Sequence, residues 1–342
     1  MNKYLFLICC FYLSTFYLEI NAQEVRTSAD MHLKGKIWRM DTYRHVADSI
    51  QIKDNSTVLY KKIQLLNHTQ FIFSRDGLLQ AENRFSLDED IIELSFIYLF
   101  DEQNRLIDVT RATLGKFLAG MTEYQYDKEG RRIKGLVYDH QDSLQNIITY
   151  TYDFSGNLIR ETTHNMTGRK IKELVYQYDE KGNCISVKNI KTTAHANKPY
   201  REIQKFDKQN NLIYKSLYDE NDSLEWEYFA DYDLYDSLYY EEVKDKSGIT
   251  THRSDLKYNK YHNRISLNLY SKKNGEIREM YSRYKYDKQQ RLLLEERFLS
   301  GEKAPFLIKK YFYDSQNNWI FCIEQNKQTS RIIVNFRQIE YY

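Results

Sequence analysis

Residues 124–133 read YQYDKEGRRI, residues 150–159 read YTYDFSGNLI and residues 176–185 read YQYDEKGNCI. The shared pattern is Tyr-x-Tyr-Asp-x-x-Gly, with Ile three residues after the glycine. We call the Asp position the anchor of a repeat. Anchors fall at residues 74, 101, 127, 153, 179, 207, 233, 259, 287 and 314, in steps of 26 to 28. The chain therefore contains ten copies of one structural unit.

Each recurring position of the repeat has a physical reason. The residue before the anchor is Phe or Tyr in all ten repeats, and the residue two positions earlier is aromatic in seven. A spacing of two places both rings on one face of a β-strand. The anchor is Asp in eight repeats, and Asp, Asn and Ser begin turns by bonding their own backbone. Three residues later, nine of ten repeats carry Gly or another type that tolerates positive φ.

A second turn follows 14 to 16 residues after the anchor, as at Asn274-Gly275 and Ser300-Gly301. Such pairs between alternating strands favour hairpins. Each repeat therefore predicts one strand out and one strand back. The predicted fold class is all-β, an antiparallel meander of about 20 strands coiled into an open spiral or shell, because strands twist and a long sheet cannot stay flat. A β-propeller of five four-stranded blades is the alternative.

The ends of the chain differ from the repeats. Lys3 precedes an apolar run from Tyr4 to Tyr17, which predicts a signal peptide over residues 1–22 with cleavage after Ala22, or alternatively an uncleaved membrane anchor. Residues 23–69 are expected to form an N-terminal cap with a possible degenerate repeat. Residues 70–326 form the repeat array, and residues 327–342 a C-terminal capping strand.

Composition narrows the function classes. The formal net charge is +2 with charges of both signs interspersed, which does not favour nucleic-acid binding. We expect no transmembrane segment in the mature chain and no cofactor. After the signal peptide only Cys184 and Cys322 remain, 138 residues apart, and we expect two free thiols because they occupy different repeat positions. The eight histidines recur at no common repeat position, and no metal-site spacing is present.

The unit Tyr-x-Tyr-Asp-x-x-Gly-x-x-Ile/Leu resembles the YD repeat of the RHS and teneurin class over about residues 70–325, although the repeats here are longer than is usual for that class. The resemblance implies a long β-sheet that spirals into a shell at or outside the cell surface. Large RHS proteins enclose a C-terminal toxin in that shell. Here Tyr342 lies 28 residues beyond the last anchor, Asp314, so we expect a stand-alone protein without a toxin domain.

Two sets of side chains are candidate sites. Equivalent tyrosines recur on every second strand, where they could pack in the sheet or, if exposed, stack on a sugar or peptide. The predicted ligand-binding residues are Tyr124, Tyr126, Tyr150, Tyr152, Tyr176, Tyr178, Tyr284 and Tyr311. The second set lies in Asp-Ser-Ile/Leu tripeptides, which resemble acceptors of bacterial O-glycosylation but are also ordinary turn sequences. The serines concerned are Ser49, Ser143, Ser223 and Ser237.

The sequence contains no nucleophile elbow, phosphate loop or zinc-binding His pair. We therefore predict a non-enzymatic exported binding or scaffold protein, secreted to the periplasm or cell surface of a Gram-negative bacterium. Its expected partner is a glycan or an envelope protein. The alternatives are an enzyme with its site in irregular segments such as residues 195–200 or the N-terminal cap, and a remnant or partner of an RHS-type toxin system.

Overall fold

The structure, a computed structural model, describes residues 27–53, 58–87, 91–113, 116–190 and 200–342, without the side chains of 116–118. These residues form 22 β-strands. The strands are β1 (Ile37–Ile52), β2 (Val58–Phe73), β3 (Leu79–Phe85), β4 (Ile92–Phe100), β5 (Leu106–Thr113), β6 (Lys116–Tyr126), β7 (Arg132–Tyr138), β8 (Leu144–Tyr152), β9 (Leu158–Asn165), β10 (Lys170–Tyr178), β11 (Cys184–Ile190), β12 (Tyr200–Phe206), β13 (Leu212–Tyr218), β14 (Leu224–Tyr232), β15 (Leu238–Asp245), β16 (Thr250–Tyr258), β17 (Arg264–Lys273), β18 (Glu276–Tyr286), β19 (Leu292–Leu299), β20 (Leu307–Tyr313), β21 (Trp319–Asn326) and β22 (Arg331–Tyr341).

Every strand pairs antiparallel with the next one along the chain, so the predicted all-β meander is confirmed. The ten repeats supply β2 to β21. The open spiral or shell is wrong, and so is the alternative propeller, because β1 pairs with β22 as well as with β2. The sheet is a closed barrel of 22 strands. A meander leaves two free edges, and here these edges satisfy each other's backbone groups.

The repeat itself explains why the sheet curves far enough to close. In all ten repeats the pairing register shifts at the anchor end of the hairpin, between the two residues before the anchor, as between Gln125 and Tyr126. An extra residue on the returning strand produces this β-bulge; in the third repeat it is Ile133. A bulge bends its strand and increases the local twist. Six of the second turns also have a register shift, as between Val137 and Tyr138, so bends at both ends of the strands add to the curvature that closes the sheet.

Hydrogen bonds at the anchor end also hold the seam, which is the junction of β1 and β22. Backbone N–H of Lys34 donates to the side-chain oxygen of Asn318, and the Asn318 amide donates back to the Lys34 carbonyl, both at 2.7 Å. Tyr342 donates its N–H to Lys36 and its hydroxyl to the carbonyl of Phe73. Residues 33–36 and the C-terminus thus join the first repeat to the tenth. These bonds add to the ten residue pairs between β1 and β22.

The two faces of the sheet differ in exposure next to the anchors. The residue three before the anchor is buried in six repeats, whereas the residue two before it, on the other face, is exposed in eight. The face that carries the motif tyrosines, which we call the tyrosine face, is therefore the more enclosed one next to the anchors.

Candidate functional site

The turn that begins at each anchor, which we call the anchor turn, is organised by the anchor side chain. In the third repeat, Oδ1 of Asp127 accepts the backbone N–H of Arg131 at 2.8 Å, and Oδ2 accepts the Arg131 guanidinium at 2.7 Å. The residue three after the anchor has a positive φ in all ten repeats, from 60° at Asn104 and His262 to 85° at Gly156. The predicted turn chemistry is therefore confirmed. Turn hydrogen bonds also lower the pKa of Asp101, in agreement with a carboxylate that works as a cap.

The second turn uses the same chemistry, which the sequence reading missed. Asp139 and Asp219 lie twelve residues after an anchor, and each accepts backbone N–H groups two and four residues on. The residue three positions further, for example Asp142 with φ 59°, again has a positive φ. The sequence does carry a signal for these caps, because Asp or Asn recurs twelve residues after the anchor in the repeats that have a regular second turn.

The second tyrosine of the motif bonds the neighbouring repeat. The hydroxyl of Tyr152 donates to the backbone carbonyl of Arg132, twenty residues earlier, at 2.8 Å. The same bond, which we call the tyrosine staple, is made by Tyr126, Tyr178, Tyr258, Tyr286 and Tyr313. Its acceptor is the first residue of the returning strand, directly before the bulge. The staple therefore fixes the bend of one repeat against the outgoing strand of the next.

The first tyrosine of the motif is the more deeply enclosed. Tyr124, Tyr150 and Tyr284 are buried, and Tyr98 is buried at the same position of the second repeat. The Arg132 guanidinium lies 3.9 Å from the ring centroid of Tyr124 and 5.8 Å from that of Tyr150. Burial raises the pKa of both phenols, so they stay neutral and cannot serve as bases at ordinary pH.

The eight predicted ligand-binding tyrosines all lie on the tyrosine face, with three buried and five half-buried. Two of them meet in a groove of about 470 Å³ between the anchor turns of the fourth and fifth repeats. Tyr176 and Tyr178 line it together with Asp153, Asn157 and Asp179. The amide of Asn157 donates to Asp153 at 3.0 Å, and this bond, with backbone donors, lowers the pKa of Asp153. The groove combines aromatic rings with fixed carboxylate and amide groups.

The serines proposed as O-glycosylation acceptors lie at accessible positions. Ser143 and Ser223 are exposed in second turns, Ser49 is exposed near the end of β1, and Ser237 is half-buried in an anchor turn. In the three turn sites the serine N–H is held by the Asp four residues earlier. Ordinary turn bonding thus accounts for the backbone at these sites, and modification of the hydroxyls stays a prediction.

A cluster at the seam, on the face opposite the tyrosine face, was also missed by the sequence reading. Rings stack across five adjacent strands. The distances between ring centroids are 4.9 Å for Phe321 and Phe336, 5.9 Å for Phe336 and Tyr43, 4.2 Å for Tyr43 and His68, and 4.0 Å for His68 and Phe85. These residues come from β21, β22, β1, β2 and β3 and become neighbours only when the barrel closes. No local pattern could have joined residue 43 to residue 336.

A polar network lies beside this aromatic row. The carboxylate of Asp41, only 1% exposed, accepts from Arg39 at 2.6 Å and from Gln70 at 3.1 Å, and it lies 3.0 Å from Nε2 of His68. Gln70 in turn accepts from Asn83 at 3.0 Å. Burial alone would raise the pKa of Asp41, but these donors outweigh it and lower the pKa below its usual range. The network ties β1 to β2 and β3.

Several predicted features lie outside the described residues, namely the signal peptide over 1–22 and the segment 191–199 that contains His195. Cys184 and Cys322 are both free, as expected. In the described part of the chain no three His, Cys, Asp or Glu side chains gather as a metal site would require. The same residues include no helix with the length and apolar character to cross a membrane.

No protein-family model and no curated protein matches the chain. A structure of the Photorhabdus luminescens Tc holotoxin pore matches with 13% identity and a TM-score of 0.28, covering 80% of this chain and 17% of that one. The TcdB2-TccC3-Cdc42 crystal structure gives 13% identity, a TM-score of 0.30 and coverage of 80% and 19%. This chain thus spans less than a fifth of either Tc toxin chain.

A porin-like protein from Bacteroides uniformis ATCC 8492 matches with 7% identity and a TM-score of 0.28, over 90% of this chain and 99% of that one. All of these TM-scores lie below 0.5, so the likeness carries no conclusion about function. The resemblance to YD repeats stays one of sequence pattern, and function has to be argued from the residues of this chain.

Proposed function

We propose that the protein is a non-enzymatic, exported binding protein of the cell envelope, and that the groove between the fourth and fifth anchor turns binds a glycan. The observation that carries the proposal is the meeting of Tyr176 and Tyr178 with the carboxylates of Asp153 and Asp179 in one groove. A tyrosine ring offers an apolar face to the C–H side of a sugar, and carboxylates and amides accept or donate to its hydroxyls.

The size of the groove supports a small or chain-end ligand. Its volume of about 470 Å³ lies within the range of small-molecule sites, about 300–1,000 Å³. Its walls are turns locked by side-chain caps, since Asp153 and Asp179 each hold the backbone of their own turn. A site built on fixed turns loses little conformational entropy when it binds.

The state of the carboxylates favours binding over hydrolysis. Glycoside hydrolysis by a carboxylate pair needs one protonated acid with a raised pKa. Here hydrogen bonds from Asn157 and Asn183 lower the pKa of Asp153 and Asp179 respectively, so both are ionised at neutral pH. Both are also occupied as turn caps. This pair suits the acceptance of sugar hydroxyls better than proton donation.

A glycan array followed by calorimetry with the best ligand tests the proposal. Ser155 is exposed and lines the groove, so Ser155→Trp should fill it and reduce affinity at least tenfold without unfolding the barrel. Gln103→Trp places the same ring at the same turn position of the second repeat and should leave affinity unchanged. Equal losses in both variants, or no glycan binding by the wild type, would remove the proposal.

A further inference from the structure

The anchor end of repeats seven to nine is unusually apolar. Six large apolar or aromatic side chains on the turn tips and on the position six after the anchor are between 39% and 99% exposed. They are Leu234, Tyr235, Tyr239, Tyr261, Ile265 and Leu293. Contacts join adjacent repeats, since the ring of Tyr235 lies 4.6 Å from that of His262. Equivalent positions lie two strands, or about 10 Å, apart, so these side chains form one surface.

Lysines surround this apolar surface. Within residues 204–213, 230–239, 256–265 and 284–293, which are the anchor ends of repeats six to nine, the exposed charged residues are six lysines and two aspartates. The lysines are Lys205, Lys208, Lys257, Lys260, Lys285 and Lys288, and the aspartates are Asp231 and Asp236. The three anchor carboxylates of these turns, Asp207, Asp233 and Asp287, are half-buried and bond their own turns, as when Asp233 accepts the N–H of Tyr235 at 2.8 Å.

Repeats two to five lack this combination. The matching windows of repeats two to five, residues 98–107, 124–133, 150–159 and 176–185, expose two lysines and three glutamates. Their large exposed apolar residues are only three, Leu99, Ile133 and Phe154, one in each of three repeats. The exposed formal charge is therefore +4 (six minus two) on one arc and −1 (two minus three) on the other. Repeats six to nine are therefore both more basic and more apolar at this end than repeats two to five.

We propose that this surface, the basic-apolar arc of repeats seven to nine with the lysines of repeat six, docks the barrel edge-on to an anionic lipid surface. Exposed aliphatic side chains enter the boundary between headgroups and acyl chains, and tyrosines settle at headgroup level. Lysines then face the anionic headgroups, each contributing about fivefold to membrane partitioning. The arc lies on turn tips at the end of the barrel, where it can approach a flat surface, and the groove of the fourth and fifth repeats lies on other turns of the same end.

The roles of the lysines and of the apolar side chains in lipid binding can be tested separately. Lys260→Gln with Lys288→Gln should weaken binding to vesicles of phosphatidylcholine with phosphatidylglycerol at least tenfold. Lys260→Gln alone should weaken it about fivefold, whereas the matched control, Lys128→Gln at the equivalent turn tip of the third repeat, should have no effect. Wild-type binding should fall steeply with salt and be weak on phosphatidylcholine alone, because headgroup charge is screened or absent.

Leu234→Ser with Tyr261→Ser should weaken binding to the same vesicles at least tenfold, and Phe154→Ser, which removes a fully exposed ring elsewhere on the rim, should not. All substitutions are on exposed turn tips, so thermal unfolding should be unchanged. The assay is co-sedimentation with vesicles. The protein is purified after the cell has processed it, and soluble polyglutamate serves as a competitor.

No binding of the wild type to phosphatidylglycerol vesicles would overturn the proposal. Equal losses from Phe154→Ser and from the arc variants would overturn the location. Binding to polyglutamate that depends on the lysines but not on Leu234 and Tyr261 would assign the arc to an acidic polymer or protein instead of a lipid surface.

Discussion

The tyrosine staples provide the sharpest energetic test of the repeat. Replacing Tyr126, Tyr178 and Tyr286 by Phe removes three hydroxyls that donate to backbone carbonyls at 2.6, 2.8 and 2.8 Å, and it leaves the rings in place. A hydrogen bond of this kind contributes about 1 kcal/mol net. The three lie in repeats three, five and nine with separate acceptors, so their effects should add. The triple variant should therefore lose about 3 kcal/mol.

The sixth repeat supplies the reverse experiment. It carries Phe206 where six other repeats have the stapling tyrosine, and the equivalent acceptor is the carbonyl of Cys184. Phe206→Tyr should therefore gain up to about 1 kcal/mol. Tyr261→Phe, at an exposed turn tip, is the neutral control.

Urea unfolding followed by circular dichroism measures these changes as shifts of the midpoint at constant slope. The reasoning is refuted if the triple Phe variant unfolds at the wild-type midpoint, or if Tyr261→Phe costs as much per hydroxyl as the staples do. A changed slope would mean that the variants alter the unfolded state or the cooperativity instead of the staple.

The remaining predictions concern acid, the seam and one turn. Burial lowers the pKa of His45 from 6.5, so its neutral form stabilises the fold above that pH, and stability should begin to fall as the pH drops below about 6.5. The turn bonds that lower the pKa of anchors such as Asp127 add a further loss as the pH falls below about 4, visible as a falling melting temperature in a pH series. Asp41→Ala should cost about 3 kcal/mol in urea unfolding because Arg39 and His68 lose their buried partner, whereas a cost below 1 kcal/mol would contradict that network. Gly156→Ala should cost about 1 kcal/mol from its φ of 85° alone, since no atom lies within 4 Å of the added methyl, and Gly156→Asn should cost less.

Sequence alone predicts the repeat because its causes are local. The anchor cap, the positive φ three residues later and the alternation of rings are all decided within ten residues, and the structure contains each of them in register. The second-turn caps are equally local. Their pattern in the sequence is weaker because the flanking residues vary more than those of the anchor turn.

Closure could not be predicted in the same way. Whether a meander spirals or meets itself depends on the sum of the bends in all its repeats, and a small change per repeat would separate β1 from β22 by many ångströms. The partners at the seam, such as Tyr43 and Phe336, lie almost 300 residues apart and share no repeat position. The same limit applies to the seam network around Asp41.

The candidate sites, like the fold, could be predicted from the sequence only in part. The sequence pattern places the motif tyrosines on one face, but exposure depends on which face is concave, and this follows from closure. The groove at Tyr176 and Tyr178 needs two adjacent turns, so one repeat cannot reveal it. The basic-apolar arc is a property of differences between repeats, which a search for a shared pattern averages away.

The closure of the barrel is best tested by a disulfide across the seam. Val46 of β1 and Ile333 of β22 are direct partners, and opposite residues on antiparallel strands lie about 4.5–5.5 Å apart between Cα atoms, within the range of a disulfide. In a chain with Cys184→Ser and Cys322→Ser, the pair Val46→Cys and Ile333→Cys should form an intramolecular bond under mild oxidation, seen as a linked peptide in the monomer. Val46→Cys with Ile308→Cys, on β20, should not. A seam pair that stays reduced, or that links only separate molecules, would contradict the closed barrel.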